Sequence, residues 1–132
     1  MEAFSIEIVT PIKILNQESV KYIRCPGIDG SFGIMKKHRE GVFALNIGEI
    51  KIETNSETEW YSTSGGFVEI GSDKVEFLLE SVEKSNEIDV KRATEALERA
   101  KNRKSNPQEK IDSTRLEASL TRAMNRLRVS KK

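Results

Sequence analysis

Two different hydrophobic periods divide the chain. Up to about residue 84, short segments alternate apolar and polar positions, as where Phe4, Ile6 and Ile8 alternate with Ser5 and Glu7. Alternate residues of a strand point to opposite faces, so this pattern is typical of a half-buried β-strand. Similar short runs recur at residues 20–25, 49–54, 58–62, 67–70 and 74–79.

Residues that favour turns separate these segments. They are Pro26-Gly27, Asp29-Gly30, Asn55-Ser56, Gly65-Gly66 and Gly71-Ser72-Asp73. Glycine adopts positive φ at little cost, and Asn, Asp and Ser bond to their own backbone. Short strands spaced about ten residues apart are typical of a sandwich or flattened barrel. We therefore predict that this part of the chain is mainly β and forms a sandwich or flattened barrel.

A helical period begins near residue 88. From residue 89 to 103 the apolar positions follow helical spacing, with Val90, Ala93, Ala96, Leu97 and Ala100 on one stripe. Asp89 precedes the stripe, and an aspartate there can accept hydrogen bonds from free amides of the first turn. We expect the helix to end around residues 104–107, because Pro107 disfavours helical geometry in the residue before it.

A second helix is predicted from about residue 112 to 128. Its apolar stripe consists of Leu116, Leu120, Ala123, Met124 and Leu127. Isolated helices of this length are marginal in water, so both stripes must be buried. We predict an antiparallel two-helix hairpin over residues 87–132, appended to a sandwich over residues 1–86. The first stripe is mostly alanine, which suggests that the hairpin is held weakly.

The charges are distributed unevenly between these two parts. Residues 1–86 carry 9 Lys and Arg against 14 Asp and Glu, whereas residues 87–132 carry 13 against 7. A basic tail beside an acidic body suggests an anionic partner, which could be an acidic protein surface, a nucleotide or a nucleic acid.

Composition narrows the possible chemistry. One cysteine, Cys25, excludes an internal disulfide and a cysteine-based zinc site, and we expect it to be a buried thiol. The apolar runs are far shorter than the roughly 20 residues that cross a bilayer, and the N-terminus does not resemble a signal peptide. We expect a cytosolic protein that reaches a membrane only through a partner. Because Trp60 and Tyr61 are adjacent in a strand, one ring should face the core and the other should face outward.

Five motifs, in order, resemble the epsilon subunit of bacterial-type rotary ATP synthases over nearly the whole chain. They are Ile8-Val9-Thr10-Pro11, residues 25–34 followed by His38, residues 64–70, Ile88-Asp89-Val90-Lys91-Arg92-Ala93, and Arg126-Leu127-Arg128-Val129. One departure lies in residues 36–41, where the family's Pro-Gly-His-Ala-Pro stretch is replaced by Lys-Lys-His-Arg-Glu-Gly.

The resemblance implies a mainly β fold with an α tail, in which a ten-stranded-type β-sandwich precedes the helical hairpin. It also implies a non-catalytic rotor subunit in the central stalk. Its sandwich would bind the gamma subunit and the c-ring, with Ser31, Phe32, His38 and Arg39 at the subunit interface. Its helical tail would reach the alpha and beta subunits of the catalytic head and restrain ATP hydrolysis. The complex would hold the chain peripherally at the cytoplasmic face of the bacterial plasma membrane. The chain has no phosphate-binding loop that ends in Gly-Lys-Ser/Thr.

The resemblance also implies a possible regulatory ATP site, although no cofactor is required. In the family, the pattern Ile/Leu-Asp-x-x-Arg-Ala contributes to ATP binding, and here it is met by Ile88, Asp89, Arg92 and Ala93. Two arginines four residues apart complete it, as do Arg122 and Arg126, with Glu83 beside the base or ribose. Three guanidinium groups suit phosphate oxygens. The alternative is a helix cap with a solvated arginine, and a basic helix face that docks on acidic protein.

Two other functions deserve comparison. A nucleic-acid-binding module with a basic helical tail would fit the charge asymmetry, but aromatic residues make up only 6% of the chain and the acidic body would repel phosphates. A small hydrolase would need a nucleophile with a base beside it, and the sequence offers no such pair. His38 has no second histidine with which to share a metal site.

Overall fold

The computed structural model describes residues 2–105 and 113–132, which form nine strands and two α-helices. The strands are β1 Phe4–Val9, β2 Ile14–Gly27, β3 Gly30–Ile34, β4 Gly41–Leu45, β5 Gly48–Thr54, β6 Thr58–Thr63, β7 Gly66–Ile70, β8 Val75–Leu79 and β9 Val82–Lys84. A single 3-10 turn, Ser85–Glu87, leads to helix α1, Val90–Ser105, and the last element is helix α2, Ser113–Ser130.

The long strand β2 joins two layers. Its first half pairs with β1, and its second half pairs with β3 and β5. Ser19 has a φ of 59°, and the register of β2 shifts beside it, which marks the change of partner. One layer, sheet I, therefore contains the first half of β2 with β1, β8, β7 and β4. The other, sheet II, contains β3, the second half of β2, β5, β6 and β9.

The predicted sandwich is confirmed. Because β2 belongs to both layers, the nine strands of the described residues supply five strand segments to each sheet, which is how a ten-stranded-type sandwich arises. Alternate residues of the strands fill the space between the sheets. The fully buried side chains there include Val20, Ile23, Ile34, Ile50, Ile52, Val68 and Phe77.

Several sequence expectations need correction in detail. Strands β3, β4 and β9 were not predicted, since β3 and β4 are short and rich in glycine or exposed residues. Pro26-Gly27 is not a turn but the end of β2, and the turn is formed by Ile28 and Asp29 before Gly30, whose φ is 123°. Proline has no backbone N–H to donate to a neighbouring strand. Pro26 is tolerated because it lies at the end of β2, where that hydrogen bond is not needed.

The helices follow the prediction closely at the ends that the structure describes. Helix α1 begins directly after Asp89, and its last described residue, Ser105, lies within the predicted end at residues 104–107. Residues Pro107 and Asp112, on which the predicted helix end and the second helix start depended, lie outside the described residues.

Two members of the predicted apolar stripes are exposed. Val90 is 50% exposed and Met124 is 54% exposed. Val90 is the first residue of α1, so no earlier turn of this helix lies beside its side chain. Helix α2 lies between α1 and sheet II, so its buried positions are Leu120, Ala123, Asn125 and Val129, and Met124 points away from both neighbours.

Candidate functional site

The start of α1 is built as the sequence predicts. The carboxylate of Asp89 accepts a hydrogen bond from the backbone N–H of Arg92 at 3.0 Å, and thus caps the helix. Ile88 and Ala93, on either side, are buried, whereas the side chains of Asp89 and Arg92 are exposed. In this motif the apolar residues fix the helix against the protein, and the two charged residues face solvent.

Arg126 joins the tail to the sandwich. Its guanidinium donates two hydrogen bonds to the carboxylate of Glu83, Nε to Oε1 at 2.6 Å and Nη2 to Oε2 at 3.0 Å. Parallel bonds of this kind are stronger and more directional than a single contact between charges. Arg122, one turn earlier on the same face, is exposed, and its Nη2 donates a weaker bond of 3.3 Å to Ser119 on its own helix.

These residues surround a cleft of about 420 Å³ between the sandwich and the hairpin. Its lining consists of Ser81, Glu83, Ala96, Ser119, Arg122, Ala123 and Arg126. Of the predicted nucleotide-binding residues, the structure brings Glu83, Arg122 and Arg126 together here. Asp89 and Arg92 are not among the described residues that line the cleft. The cleft can hold an anion between two guanidinium groups, although the fork of Arg126 is already engaged by Glu83.

A second cleft, of about 480 Å³, lies at the β2–β3 turn and contains most of the predicted interface residues. Ser31, Phe32 and His38 line it together with Phe43, whose ring lies 5.5 Å from that of Phe32 and 6.0 Å from that of His38. Arg39 is exposed beside it, and its carbonyl oxygen lies 2.9 Å from Nδ1 of His38. No group of three or more potential metal ligands occurs among residues 2–105 and 113–132.

The outer face of sheet I carries two parallel rows of side chains, which the sequence analysis did not identify. The first row crosses all five strand segments in register and is apolar, and it consists of Ile14, Val9, Leu78, Phe67 and Ala44. The adjacent row is largely acidic, with Glu7, Glu76 and Glu69 aligned across β1, β8 and β7. Phe67 is 53% exposed and Leu78 is 46% exposed. The signal was the unbroken apolar run Phe77-Leu78-Leu79, in which one residue must face outward.

The end of α2 lies on the outer face of sheet II, through residues that the sequence analysis also missed. Asn125 is buried there, and Arg128 forms an ion pair with Glu49 at 2.8 Å. The prediction that Trp60 and Tyr61 face opposite ways is confirmed. Tyr61 lies in the core, and the Nζ atom of Lys132 lies 4.4 Å from the centre of the Trp60 ring.

Burial controls the ionisation of two inward-facing groups. It raises the pKa of the Cys25 thiol to about 12, as expected of an unreactive structural cysteine. Burial also raises the pKa of Tyr61, whose hydroxyl donates a 2.7 Å hydrogen bond to the carboxylate of Glu59. For Glu59, burial acts to raise the pKa, but the bond from Tyr61 and the nearby charge of Lys84 outweigh it, and the pKa is lowered.

Taken together, these features define a small β-sandwich protein with a two-helix appendage, which has two surface clefts and an apolar row on the outer face of sheet I. Two family models match such a chain. The model for the β-sandwich domain of the ATP synthase delta/epsilon chain covers residues 3–85, and the model for its long α-helix domain covers residues 86–131. The chain belongs to the ATP synthase delta/epsilon chain family.

Curated relatives agree with this assignment over nearly their full length. The chain is 40% identical to the ATP synthase epsilon chain of Nitratidesulfovibrio vulgaris strain DP4 over 128 residues, which covers 97% of this chain and 96% of the relative. It is also 40% identical to that of Syntrophomonas wolfei, with 98% and 95% covered. For Bacillus mycoides the identity is 36%, with 98% of both chains covered.

Solved structures share the fold. A chain in the mitochondrial ATP synthase of Euglena gracilis, solved with OSCP, F1 and the c-ring, matches with a TM-score of 0.79 at 20% identity, covering 93% of this chain and 78% of that one. A chain in the central stalk and c-ring of the Tetrahymena thermophila enzyme matches with a TM-score of 0.63 at 18% identity, covering 98% and 95%. The family models and the curated relatives confirm the resemblance to ATP synthase epsilon chains, and the solved structures confirm the fold.

Proposed function

We propose that the chain is a non-catalytic rotor subunit whose sandwich binds the gamma subunit and the c-ring, while its hairpin restrains ATP hydrolysis and senses ATP. The observation that carries the regulatory part is the cleft lined by Glu83, Arg122 and Arg126. It includes residues from the sandwich and from both helices, so a ligand bound there would favour the docked hairpin over a released one.

The outer face of sheet I supports docking to gamma. An in-register apolar row that spans a whole sheet is costly to leave in water, and such patches commonly mark protein interfaces. The acidic row beside it favours a partner whose apolar ridge is flanked by Lys or Arg. Lys74 already bridges this row, with Nζ 3.5 Å from Glu7 and 3.9 Å from Glu76, which shows that a cation fits there.

The cleft around Phe32 and Phe43 supports a second contact, with the c-ring. Ile28 lines this cleft and is 62% exposed, which adds an apolar side chain beside the rings of Phe32 and Phe43. Ser31, His38 and Arg39 add polar groups that can fix the orientation of a partner. The family's prolines are replaced only within residues 36–41, and His38 of that loop still lines the cleft, so we place the contact at the cleft.

Regulation by ATP follows from mass action. A ligand that binds only the docked hairpin stabilises that state by about 2.7 kcal/mol at a hundredfold excess over its Kd. The opposing state would be the released hairpin, whose basic helices can meet acidic surfaces on the alpha and beta subunits. Among the described residues α1 packs mainly against α2, which favours a low cost for its release.

Two experiments test the proposal. Deletion of residues 88–132 should raise ATP hydrolysis by the assembled enzyme, and an unchanged or lower rate would refute the inhibitory role. Calorimetry with ATP on the isolated chain should show binding that is lost in both Arg122→Ala and Arg126→Ala but kept in Arg99→Ala, an exposed arginine of α1. Equal heats in all four proteins would refute the ATP site.

The location follows from assembly with the partners. No described helix is long and apolar enough to cross a membrane. We place the chain peripherally at the cytoplasmic face of the bacterial plasma membrane, held there by gamma and the c-ring. The family assignment favours this role over the nucleic-acid-binding alternative.

A further inference from the structure

The last eight residues of the chain fix α2 to sheet II through polar contacts. The side chain of Asn125, 1% exposed, donates hydrogen bonds to the carbonyl oxygen of Gly48 at 2.8 Å and to Oγ of Ser62 at 3.0 Å. Its own Oδ1 accepts a bond of 2.8 Å from Arg128. Both N–H groups and the carbonyl oxygen of this side-chain amide therefore have hydrogen-bond partners. A buried amide that is fully bonded in this way favours one docked position of α2.

Charged and aromatic contacts extend this attachment to the chain end. Glu49 on β5 receives both Arg128, at 2.8 Å, and Lys132, at 3.8 Å. The same lysine lies over the face of Trp60 on β6, where a cation is attracted by the negative face of the ring. Between these polar contacts, Val129 is fully buried.

Helix α1 is attached in a different way. It packs against α2, and its buried residues in that contact, Ala93 and Ala100, have the smallest side chains that can fill a helix interface. An ion pair between the two helices, Lys104 with Glu117, is more than half exposed at both ends. Exposed pairs contribute little, so the attachment of α1 is the weaker of the two.

We propose that residues 125–132 form a polar clamp and that the hairpin opens in two steps. In the first step α1 and the first half of α2 separate and lose helical structure while the clamp stays on sheet II. In the second step Asn125 leaves Gly48 and Ser62, and the tail becomes free. A clamp of fully satisfied polar groups suits a reversible contact, because water replaces its hydrogen bonds when it opens. This order is a property of the isolated chain, so it stands or falls independently of ATP binding and of hydrolysis.

Amide hydrogen exchange on the full-length chain, without ATP, tests the order of opening. Because α1 can open without the clamp, its central amides, residues 94–100, should exchange at least about tenfold faster than those of residues 125–129. Equal rates in the two segments would mean that the hairpin opens as one unit, and would overturn the proposal.

The Asn125→Asp variant tests the clamp itself. A carboxylate cannot donate to Gly48 or Ser62, so exchange at residues 125–129 should accelerate by at least about tenfold. Quenching of Trp60, the one tryptophan of the sequence, by acrylamide should increase with it. Asn102→Asp, the same change at an exposed site of α1, is the control and should leave both signals unchanged. Unchanged protection of the β2 and β5 amides against hydrogen exchange would verify that the sandwich of each variant is folded.

Lys132→Ala provides a second variant that cannot disturb the core. It should accelerate exchange at residues 125–129, whereas Lys131→Ala at the adjacent exposed position should not. If neither Asn125→Asp nor Lys132→Ala accelerates exchange beyond its control, the clamp does not hold the tail and the proposal is wrong.

Discussion

Arg126 of α2 and Glu83 of β9 form the one two-pronged ion pair between tail and sandwich among the described residues, with N–O distances of 2.6 and 3.0 Å. Both side chains are only partly exposed, at 24% and 32%. Solvent therefore screens this pair less than an ordinary surface pair. The pair links the cleft lined by Glu83, Arg122 and Arg126 to the docking of the hairpin, since one of the cleft's two guanidinium groups also holds the tail.

Replacing Glu83 should consequently loosen the tail. We expect Glu83→Ala to weaken the docking of the hairpin by about 1 kcal/mol, because the two hydrogen bonds from Arg126 to a charged group are lost. Hydrogen exchange of α2 in the isolated chain measures this change. Glu117→Ala, which removes the exposed pair with Lys104, is the matched control and should cost less than about 0.5 kcal/mol. A larger effect in the control would contradict the special role of Glu83.

The sequence predicted the layers well and the surfaces poorly, for a physical reason. Alternation and helical spacing report which residues face a core, so the sandwich, the hairpin and the cap at Asp89 could all be inferred. The row from Ile14 to Ala44 could not, because it depends on the register of five segments that are far apart in sequence. Asn125 was missed because an asparagine in a helix gives no sign of the strand atoms it will bond.

The apolar row on sheet I predicts that a charge placed in this row should weaken binding to gamma. Phe67→Glu should abolish or strongly weaken co-purification with gamma, because it places a charge within the apolar row and beside Glu69. The chain itself should stay folded, since Phe67 is already half exposed. Met124→Glu makes the same type of change at an exposed position of α2 and should leave the complex intact. Pull-down at several salt concentrations measures both, and retention of gamma by Phe67→Glu would place the interface elsewhere.

Gly66 is required by the close approach of β7 and β8. A Cβ atom at this position would lie 2.1 Å from the carbonyl oxygen of Leu78, and the φ of Gly66 is 147°. We expect Gly66→Ala to destabilise the chain by about 3 kcal/mol, because backbone must move and the conformation is strained. Gly71→Ala, at the other end of β7, meets its first atom at 3.4 Å and should cost less than about 1 kcal/mol. Urea unfolding compares the two, and similar midpoints would contradict this account.

The buried carboxylate of Glu59 should make the sandwich sensitive to acid. Its pKa is lowered in the folded chain, where Tyr61 and Lys84 favour the charged form against the effect of burial. A group with a lowered folded pKa contributes stability that is present above its unfolded pKa, about 4.3 for glutamate, and is lost as the pH falls through the folded value. The difference in unfolding free energy between the parent and Glu59→Gln should therefore be constant above about pH 5 and shrink below about pH 4.

Glu53→Gln is the control for that measurement, because Glu53 is on the neighbouring strand β5 and its pair with Lys51, at 3.6 Å, is more exposed. Its stability difference from the parent should be small at every pH.

Tyr61 gives a pH dependence of stability with the opposite sign, at the alkaline end. Since the pKa of Tyr61 is raised, its contribution is complete below the unfolded value of about 10 and is lost progressively as the pH rises from there through the higher folded value. Denaturant unfolding from about pH 3 to pH 11 thus samples both groups. A parent and a Glu59→Gln variant with parallel acid profiles would show that the Glu59–Tyr61–Lys84 contacts do not hold the carboxylate in its charged form.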